Sequence, residues 1–333
     1  MSESKKLLIR LSSAGDILLT SPLLKVIKES EPESEIHFAV KEQYVDLIRY
    51  NPNIDRVHLV QNDAGIHQLE NLRRDLLRER FDATLDLQNN FRSIYLRRGM
   101  SSNISVVNKD PFKRALLVKA KVNLFREVRP VALKYIQVFD SCRSTVPLPE
   151  IYFSAQTREK TESLWKNASV RGDAHIFLCP GARHFTKRWP QEYWVDLASK
   201  LSATGTLTLI GGEEDKEVCH AISKQAACLS LCGELSLIES AAMLSYADVV
   251  VTNDSFIMHA ANALGKRIVA IFGSTVREFG FFPYGVQDKI LEVGGLHCRP
   301  CSHIGREYCP KGHFRCMLET KPEMVHRATM ELL

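Results

Sequence analysis

The sequence lacks the long apolar segments that would place a chain within a bilayer. No apolar run approaches the ~18 residues that a membrane-spanning helix requires. The run at residues 7–11 is interrupted by Arg10 and is too short for a secretory signal. These absences predict a cytoplasmic protein, with a peripheral position on the inner face of the cytoplasmic membrane as a further option.

Two devices of common nucleotide-using enzymes are also missing. No Asp-any-Asp pair occurs, so the metal-chelating device of many metal-dependent sugar transferases is absent. No Gly-x-Gly-x-x-Gly follows an apolar strand, which disfavours a Rossmann oxidoreductase.

Cysteine is too sparse for a disulfide scaffold, with nine in 333 residues. In a reducing compartment these residues are expected to be free thiols, or metal ligands where they cluster. The cluster consists of Cys298, Cys301, Cys309 and Cys316, and four soft ligands in a short loop can close a tetrahedral zinc site. The spacing of the last two is longer than in a usual ligand pair, so reduced thiols and a bound metal both stay open.

The composition is that of an ordinary globular protein, with 45% hydrophobic and 25% charged residues. A chain of 333 residues exceeds what one hydrophobic core usually serves, so two domains are expected. Basic charge is concentrated between residues 87 and 129, where ten basic minus two acidic residues gives +8. Such a patch attracts polyanions or anionic lipid headgroups, although a solvated basic surface would look the same.

Short apolar runs alternate with helical patterns along the whole chain, which predicts parallel sheets covered by helices. The predicted strands are residues 6–11, 35–40, 57–60, 83–87, 103–107, 175–178, 206–210, 249–252 and 268–272. A Val-Pro-Leu-Pro-Glu stretch at 146–150 breaks the alternation. We therefore expect two Rossmann-like domains facing a central cleft, residues 1–155 and 156–333, with ligands at the carboxyl ends of the strands.

The first polar loop that follows a predicted strand is at residues 10–22, RLSSAGDILLTSP. Gly15 permits a tight turn, and Asp16 lies near the start of a helix, where a carboxylate is stabilised. A helix cap and a catalytic role for Asp16 are both compatible with this position.

The second loop, at residues 179–194, reads CPGARHFTKRWPQEYW. It gathers four basic or titratable side chains within six residues, namely Arg183, His184, Lys187 and Arg188. Cations at a strand-to-helix junction suit a diphosphate, because the helix N-terminus adds backbone donors to their charge. A solvated basic loop is the alternative.

The third loop lies within residues 249–265, VVVTNDSFIMHAANALG, and a further small-residue loop follows at 272–275, FGST. Asp254 or Ser255 can cap the helix, whose first-turn N–H groups would face the cleft. His259 lies one turn into that helix, where a histidine is more often a satisfied core or surface residue than a ligand contact.

Taken together with FDATLDLQNNFRS at 81–93, these loops resemble the ordered signature of the glycosyltransferase family 9 heptosyltransferases. The resemblance implies an α/β GT-B fold with an N-terminal acceptor-side domain and a C-terminal domain that binds a nucleotide sugar. It further implies inverting, metal-independent transfer of a heptose or related sugar from an ADP-sugar to the inner core of lipopolysaccharide.

By the same resemblance, Asp16 is the general base that takes the proton of the acceptor hydroxyl. The implied acceptor contacts are Ser13, Arg92 and Ser93. The implied donor contacts are Gly181, Lys187, Glu213, Asp254, Ser255, His259, Gly273 and Thr275.

The resemblance implies no cofactor, no metal ligands and no nucleic-acid partner. The partners would be the nucleotide sugar and an anionic lipopolysaccharide acceptor at the inner membrane surface, with the oligomeric state open. One departure is Phe256, which occupies a position where the family commonly has glycine. Another nucleotide-sugar transferase, an epimerase on the same plan and an inactive sugar-nucleotide-binding homologue are the alternatives.

Overall fold

The computed structural model describes residues 4–168, 174–285 and 287–333. The chain divides into two compact units. Met1–Lys109 and Val131–Tyr152 form the first unit, and Asp110–Pro130 and Phe153–Leu333 form the second. The sequence-based division at residue 155 lies close to the return at Phe153, but it placed residues 110–130 with the N-terminal domain.

The described residues form strands and helices that alternate along the chain. The strands are β1 (Lys5–Ile9), β2 (Glu35–Lys41), β3 (Arg56–Val60), β4 (Ala83–Asp86), β5 (Asn103–Val106), β6 (His175–Cys179), β7 (Thr206–Leu209), β8 (Cys228–Ser230), β9 (Val249–Asn253), β10 (Arg267–Phe272) and β11 (Asp288–Glu292). The helices are α1 (Ala14–Leu18), α2 (Ser21–Ser30), α3 (Ile66–Arg78), α4 (Phe91–Arg97), α5 (Pro111–Lys119), α6 (Val131–Ile136), α7 (Ala155–Asn167), α8 (Gln191–Leu201), α9 (Lys216–Ser223), α10 (Leu237–Met243), α11 (Phe256–Ala263), α12 (Arg315–Leu318) and α13 (Pro322–Met330). In the part of the chain that the structure describes, no helix combines the length and apolar character needed to cross a bilayer.

The first unit is built on a five-stranded sheet in the order β3-β2-β1-β4-β5. Every pairing in it is parallel, and the central strands β1 and β2 are almost wholly buried. Buried parallel strands read as continuous apolar runs, which is why LLI in β1 and IHFAV in β2 were recognisable from sequence. Helices such as α3 turn Leu69 and Leu76 toward that core.

The second unit contains a six-stranded parallel sheet in the order β11-β10-β9-β6-β7-β8. Its middle strand β9 is buried at every residue. On one face, α8 packs Trp194, Leu197 and Leu201 into the core together with Val325 of α13. Loops after β10, β9, β6 and β7 therefore leave the sheet side by side at the edge formed by the carboxyl ends.

Nine of the eleven strands match the sequence prediction to within two residues at either end. The two missed strands are β8, with three residues, and β11, whose residues are all half-buried. Neither carries the apolar run that marked the central strands, because both lie at the edges of their sheet.

At the amino-terminal ends of the first unit's strands, a chain of titratable groups surrounds His37. The His37 ring is fully buried, with Nδ1 2.9 Å from His58 Nε2 and Nε2 2.6 Å from Glu35 Oε1. Burial, and then the positive field of His37 and Arg56, lowers the pKa of His58 to about 4. The negative charges of Glu79 and Asp75 act in the other direction and raise the pKa of His58, but they do not outweigh burial. Folding thus favours the neutral form of His58.

This geometry predicts a pH-dependent stability that belongs to His58. As pH falls from 6.5 toward about 4, the unfolded chain binds a proton at His58 and the folded chain does not, so stability is lost across that window. In His58→Gln the position no longer titrates. We expect the melting temperature of the wild type to fall relative to that of His58→Gln as pH is lowered across the window. A difference between the two proteins that stays constant with pH would contradict this origin.

Candidate functional site

The carboxylate of Asp254 joins three of the loops at the edge of the second sheet. Asp254 follows β9, and its side chain is 4% exposed. Its Oδ2 lies 2.7 Å from Nζ of Lys187, in the loop after β6, and accepts a 2.6 Å hydrogen bond from Oγ1 of Thr275, in the loop after β10. Three of the predicted donor residues are thus brought together by direct contact.

Further polar contacts fix the same loops to one another. Asn253, the last residue of β9, donates through Nδ2 to the Pro180 carbonyl at 2.7 Å and accepts from the Trp189 N–H at 3.3 Å. The Ser274 N–H donates to the Thr186 carbonyl at 3.2 Å. The loop after β6 is therefore held at both of its ends by the neighbouring loops.

Two of the predicted glycines are required by close approach of these loops. A Cβ on Gly273 would come within 2.7 Å of the Thr186 carbonyl oxygen, and one on Gly181 within 2.2 Å of Asp215 Oδ2. The clash at Gly273 involves backbone, which cannot move aside as the end of a flexible side chain can. Gly273 is therefore fixed by the packing of the site.

Helix α11 starts at this edge with Ser255 as its N-cap. The Ser255 hydroxyl lies 3.3 Å from Thr252 Oγ1 and makes no capping bond, and Asp254 is engaged with Lys187 and Thr275. Phe256 is the first residue of the helix, and it is not among the non-glycine residues with positive φ. The backbone at this position accepts a side chain where the family commonly has glycine.

Two other predicted donor residues lie near these loops in different settings. His259 is buried at 4% exposure one turn into α11, and its ring is 6.4 Å from that of Phe281 in an edge-on arrangement. Glu213 is exposed in a short 3₁₀ turn after β7 and forms a 2.8 Å ion pair with Lys216. Glu213 is therefore exposed to solvent at the carboxyl edge of the second sheet.

The charge of the loop after β6 is only partly neutralised. Lys187 is paired with Asp254, and Arg188 donates through Nε to the Ala182 carbonyl at 2.6 Å. Arg183 is exposed. Burial, followed by the fields of Lys187 and Arg183, lowers the pKa of His184, so this imidazole is neutral at pH 7. The loop therefore keeps the positive charge of the Arg183 and Arg188 guanidinium groups, whereas the charge of Lys187 is neutralised by Asp254.

Residues 298–316, which carry the four clustered cysteines, contact the loops after β6 and β10. The Thr186 N–H donates to the Arg306 carbonyl at 3.0 Å, and the Cys301 N–H donates to the Ser274 carbonyl at 3.3 Å. Gly305 has φ of 114° and lies against His184, where a Cβ would be 2.6 Å from the His184 Cβ. The segment thus has a packing role at the site, whatever the state of its thiols.

Cys298, Cys301, Cys309 and Cys316 are free thiols in the structure. Burial raises the pKa of Cys301, and burial raises that of Cys316 to about 12, so both are protonated at pH 7. Over residues 4–168, 174–285 and 287–333, no group of three or more His, Cys, Asp or Glu side chains has an arrangement that could hold a metal ion.

The expectation of free thiols is wrong for two other cysteines. Cys219 of α9 and Cys232, which follows β8, form a disulfide with their Cα atoms 6.5 Å apart. Both side chains are buried in the core of the second unit. They are 13 positions apart in the chain, and only the packing of α9 against β8 brings them together.

In the first unit, Asp16 occupies the third position of α1, directly after β1. Its Oδ1 pairs with Arg10 Nη2 at 2.6 Å and accepts from the Tyr135 hydroxyl at 3.0 Å. Its Oδ2 accepts from the Ser13 hydroxyl at 2.7 Å and from the Ser13 N–H at 3.3 Å. The Asp16 side chain is 16% exposed. Asp16 is therefore not the N-cap itself but the N3 partner of the N-cap residue Ser13, and it also makes a charged pairing that capping does not require.

Opposing effects act on the pKa of Asp16. Burial raises it, and Arg10, the Ser13 hydroxyl and the Tyr135 hydroxyl together outweigh that effect, so the pKa lies below its usual value. Asp16 is consequently a carboxylate throughout the neutral range. A carboxylate of this kind takes a proton from a ligand hydroxyl only when that hydroxyl becomes strongly acidic, as it does while its oxygen forms a new bond.

Three residues that organise this site were not predicted from sequence. Arg10 directly follows the apolar strand β1 and is 5% exposed. Tyr135 comes from α6, which is distant in the chain. Gln88 accepts hydrogen bonds from the backbone N–H groups of Leu11 and Ser12, at 3.0 and 3.2 Å. An arginine directly after an apolar run is a sequence signal that could have been used, because a charge placed there needs a partner. No local pattern marks Tyr135, because its role depends on the chain returning to this unit.

The predicted acceptor residues follow two adjacent strands, β1 and β4. Ser13 is exposed at the start of α1, and Arg92 is exposed on α4. Ser93 is buried, and its Oγ accepts from the Asn90 N–H at 2.9 Å in a reciprocal helix cap. Arg92 and Ser13 can thus reach a ligand directly, whereas Ser93 as placed sets the start of α4.

Comparison with known proteins supports the resemblance read from the loops. The family model described as glycosyltransferase family 9 (heptosyltransferase) matches residues 69–311. Lipopolysaccharide heptosyltransferase 2 of Salmonella typhimurium is 26% identical over 99% of this chain and 98% of its own length.

Solved structures confirm the fold class. The glycosyl transferase family 9 structure from Veillonella parvula aligns with a TM-score of 0.82 at 22% identity, over 99% of this chain and 97% of that one. The E. coli ADP-heptose lps heptosyltransferase II aligns with a TM-score of 0.75 at 21% identity, over 98% of each chain. These likenesses confirm the predicted α/β GT-B class with two Rossmann-like domains. The family match extends over most of the chain and includes the loops after β4, β6, β9 and β10, so the protein belongs to glycosyltransferase family 9, the heptosyltransferases, and is a glycosyltransferase.

Proposed function

We propose that this protein transfers a heptose from ADP-heptose to the inner core of a lipopolysaccharide acceptor, with inversion at the anomeric carbon and without a metal ion. The observation that carries the proposal is the Asp254–Lys187–Thr275 contact at the edge of the second sheet, where three family motifs meet. The names of the relatives in Salmonella and E. coli support the heptose, the ADP carrier and the lipopolysaccharide acceptor.

The second unit is the proposed donor side. Lys187, Arg183 and the N-terminus of α11 would carry the diphosphate, because ionised donors and free backbone N–H groups together favour a bound dianion. Ser255, Gly181, Gly273 and Thr275 would shape the phosphate edge. His259 and Glu213 would line the sugar and ribose regions, respectively.

The first unit is the proposed acceptor side, with Asp16 as the general base. Its low pKa keeps it ionised at neutral pH, as a base must be before it takes a proton. Ser13 and Arg92 would contact the acceptor, and Ser93 would act through the start of α4. The acceptor is anionic and lipid-anchored, so the enzyme would work at the inner face of the cytoplasmic membrane.

An inactive binding protein is less well supported than an enzyme. The feature that favoured it was Phe256, and this residue begins α11 with an ordinary helical backbone. The N–H of Phe256 is therefore still available to a ligand.

Donor identity can be tested by calorimetry of the full chain with ADP-heptose, ADP, UDP and GDP. We expect ADP and ADP-heptose to bind at least about tenfold more tightly than UDP or GDP, a difference of about 1.4 kcal/mol. Tighter binding of UDP or GDP would reject the ADP-sugar donor while leaving the transferase class intact.

Lys187→Ala should weaken ADP binding by about 1.5 to 3 kcal/mol, because a charge-assisted contact to the diphosphate is lost. The substitution also leaves the buried Asp254 without its cation, so the melting temperature should fall. Adenosine, which has no phosphate, separates the two effects. Its affinity should be unchanged, whereas equal weakening of adenosine and ADP would assign Lys187 a structural role only.

Asp16→Asn should lower the rate of transfer by about 10² or more, as expected for loss of a general base. Asn retains an acceptor for the Ser13 N–H but leaves the buried Arg10 without a counter-charge, so some stability should be lost as well. Rates are therefore compared well below the melting temperature of the variant. ADP affinity should stay close to that of the wild type.

Asp46→Asn is the matched control, since Asp46 is a 59% exposed carboxylate of the same unit that forms a surface ion pair with Arg49. It should transfer at the wild-type rate. Near-normal turnover of Asp16→Asn would leave Asp16 a helix-capping residue and place the base elsewhere.

A further inference from the structure

The segment Asp110–Pro130 of the second unit exposes apolar side chains to water. Phe112 is 71% exposed, Val122 46%, Leu124 42% and Val128 47%. Soluble surfaces carry single exposed apolar residues, but four within 17 residues form a concentration that calls for a partner. We refer to Asp110–Pro130 as the docking segment.

The docking segment is also strongly basic. Its six basic residues minus its two acidic ones, Asp110 and Glu127, give +4. The basic residues are Lys113, Arg114, Lys119, Lys121, Arg126 and Arg129. Basic and apolar side chains alternate along the segment, so any partner surface must be both apolar and negatively charged.

A separate set of side chains anchors the docking segment to its own unit. Leu117 is buried, and the Arg114 guanidinium donates to the Phe279 carbonyl at 3.3 Å and lies 5.8 Å from the Phe279 ring centre. Lys121 donates to the carbonyls of Cys298 at 3.1 Å and of Pro300 at 2.5 Å. The segment is thus fixed by one set of residues while its four large apolar side chains stay in water.

Positive charge continues into the loop beside the docking segment. Arg306 and Lys311 are exposed within residues 298–311, the stretch whose Cys298 and Pro300 carbonyls accept from Lys121. The same loop exposes Ile304 at 53% and Tyr308 at 67%. An apolar and basic composition therefore extends across two neighbouring stretches of the second unit.

We propose that the docking segment binds the anionic surface of a phospholipid bilayer, with Phe112, Val122, Leu124 and Val128 entering the headgroup region and Lys119 and Arg126 contacting lipid phosphates. Charge complementarity selects this occupant, since an anionic leaflet attracts basic segments and its interface accepts apolar side chains. The inference deepens the membrane-surface location in the proposed function. It gives the enzyme a means of staying where a lipid-anchored acceptor is concentrated.

The experiment uses the full chain and vesicles alone, without donor or acceptor. Co-sedimentation is measured with vesicles of phosphatidylcholine and with vesicles that also contain phosphatidylglycerol. We expect binding to the anionic vesicles, at least about tenfold weaker binding to the zwitterionic ones, and weakening as salt is raised. Equal binding to both vesicles, or none to the anionic ones, would overturn the proposal.

Two double variants then locate the contact. Phe112→Ser with Leu124→Ser should weaken binding to anionic vesicles by about tenfold, and Lys119→Glu with Arg126→Glu should do the same by charge reversal. The apolar control is Leu237→Ser with Met324→Ser, at 38% and 37% exposure elsewhere in the unit. The charge control is Lys224→Glu with Arg327→Glu, which changes the net charge equally at exposed positions.

Both controls should bind vesicles like the wild type. Loss of binding in the controls as well, or retention in both docking variants, would exclude the docking segment. A concentration-dependent dimer that Phe112→Ser with Leu124→Ser abolishes would assign the surface to a second copy and also overturn the proposal. ADP affinity, measured in parallel, distinguishes failure of this inference from failure of the transferase assignment.

Discussion

The contact between the Asp254 carboxylate and the Lys187 ammonium is the interaction on which the second unit's functional edge depends. A carboxylate that is 4% exposed must be paired, and Asp254 is paired by residues from two other loops. The parallel order of β10, β9 and β6 makes this possible, because their carboxyl ends are neighbours. Glycine at position 273 then allows the backbones to approach closely enough for the contacts to form.

The first unit also pairs a carboxylate with a cation at the end of a strand, but there the cation is the buried member of the pair. Arg10 is buried, whereas Asp16 remains 16% exposed and receives four donor groups. The pairing holds Asp16 ionised and fixes its direction, while Gln88 and the Leu87 carbonyl secure the loop and the arginine. A carboxylate in this setting can act on a ligand, and the buried Asp254 is suited to hold loops in place.

The sequence was sufficient for the α/β architecture and for the three loops that meet at the Asp254–Lys187–Thr275 contact. Apolar runs such as VVVT in β9 mark buried parallel strands, and polar residues directly after them mark the loops at the carboxyl edge of the sheet. It was insufficient where partners lie far apart in the chain. Tyr135 reaches Asp16 only because the chain returns at Val131, and Cys219 meets Cys232 only through helix packing. Residues 110–130, which the sequence division kept with the N-terminal half, group with the second unit, and Leu117 of α5 and Lys121 hold them there through long-range contacts that no local pattern marks.

The most direct test of the account is a single transfer reaction with the wild-type protein, ADP-heptose and a purified lipopolysaccharide acceptor that lacks its inner-core heptose, in the presence of a metal chelator. The acceptor is analysed by mass spectrometry and the new linkage by NMR. We expect an acceptor that has gained one heptose with the anomeric configuration opposite to that of the donor. Recovery of the acceptor unchanged, or a product that retains the donor configuration, would contradict it.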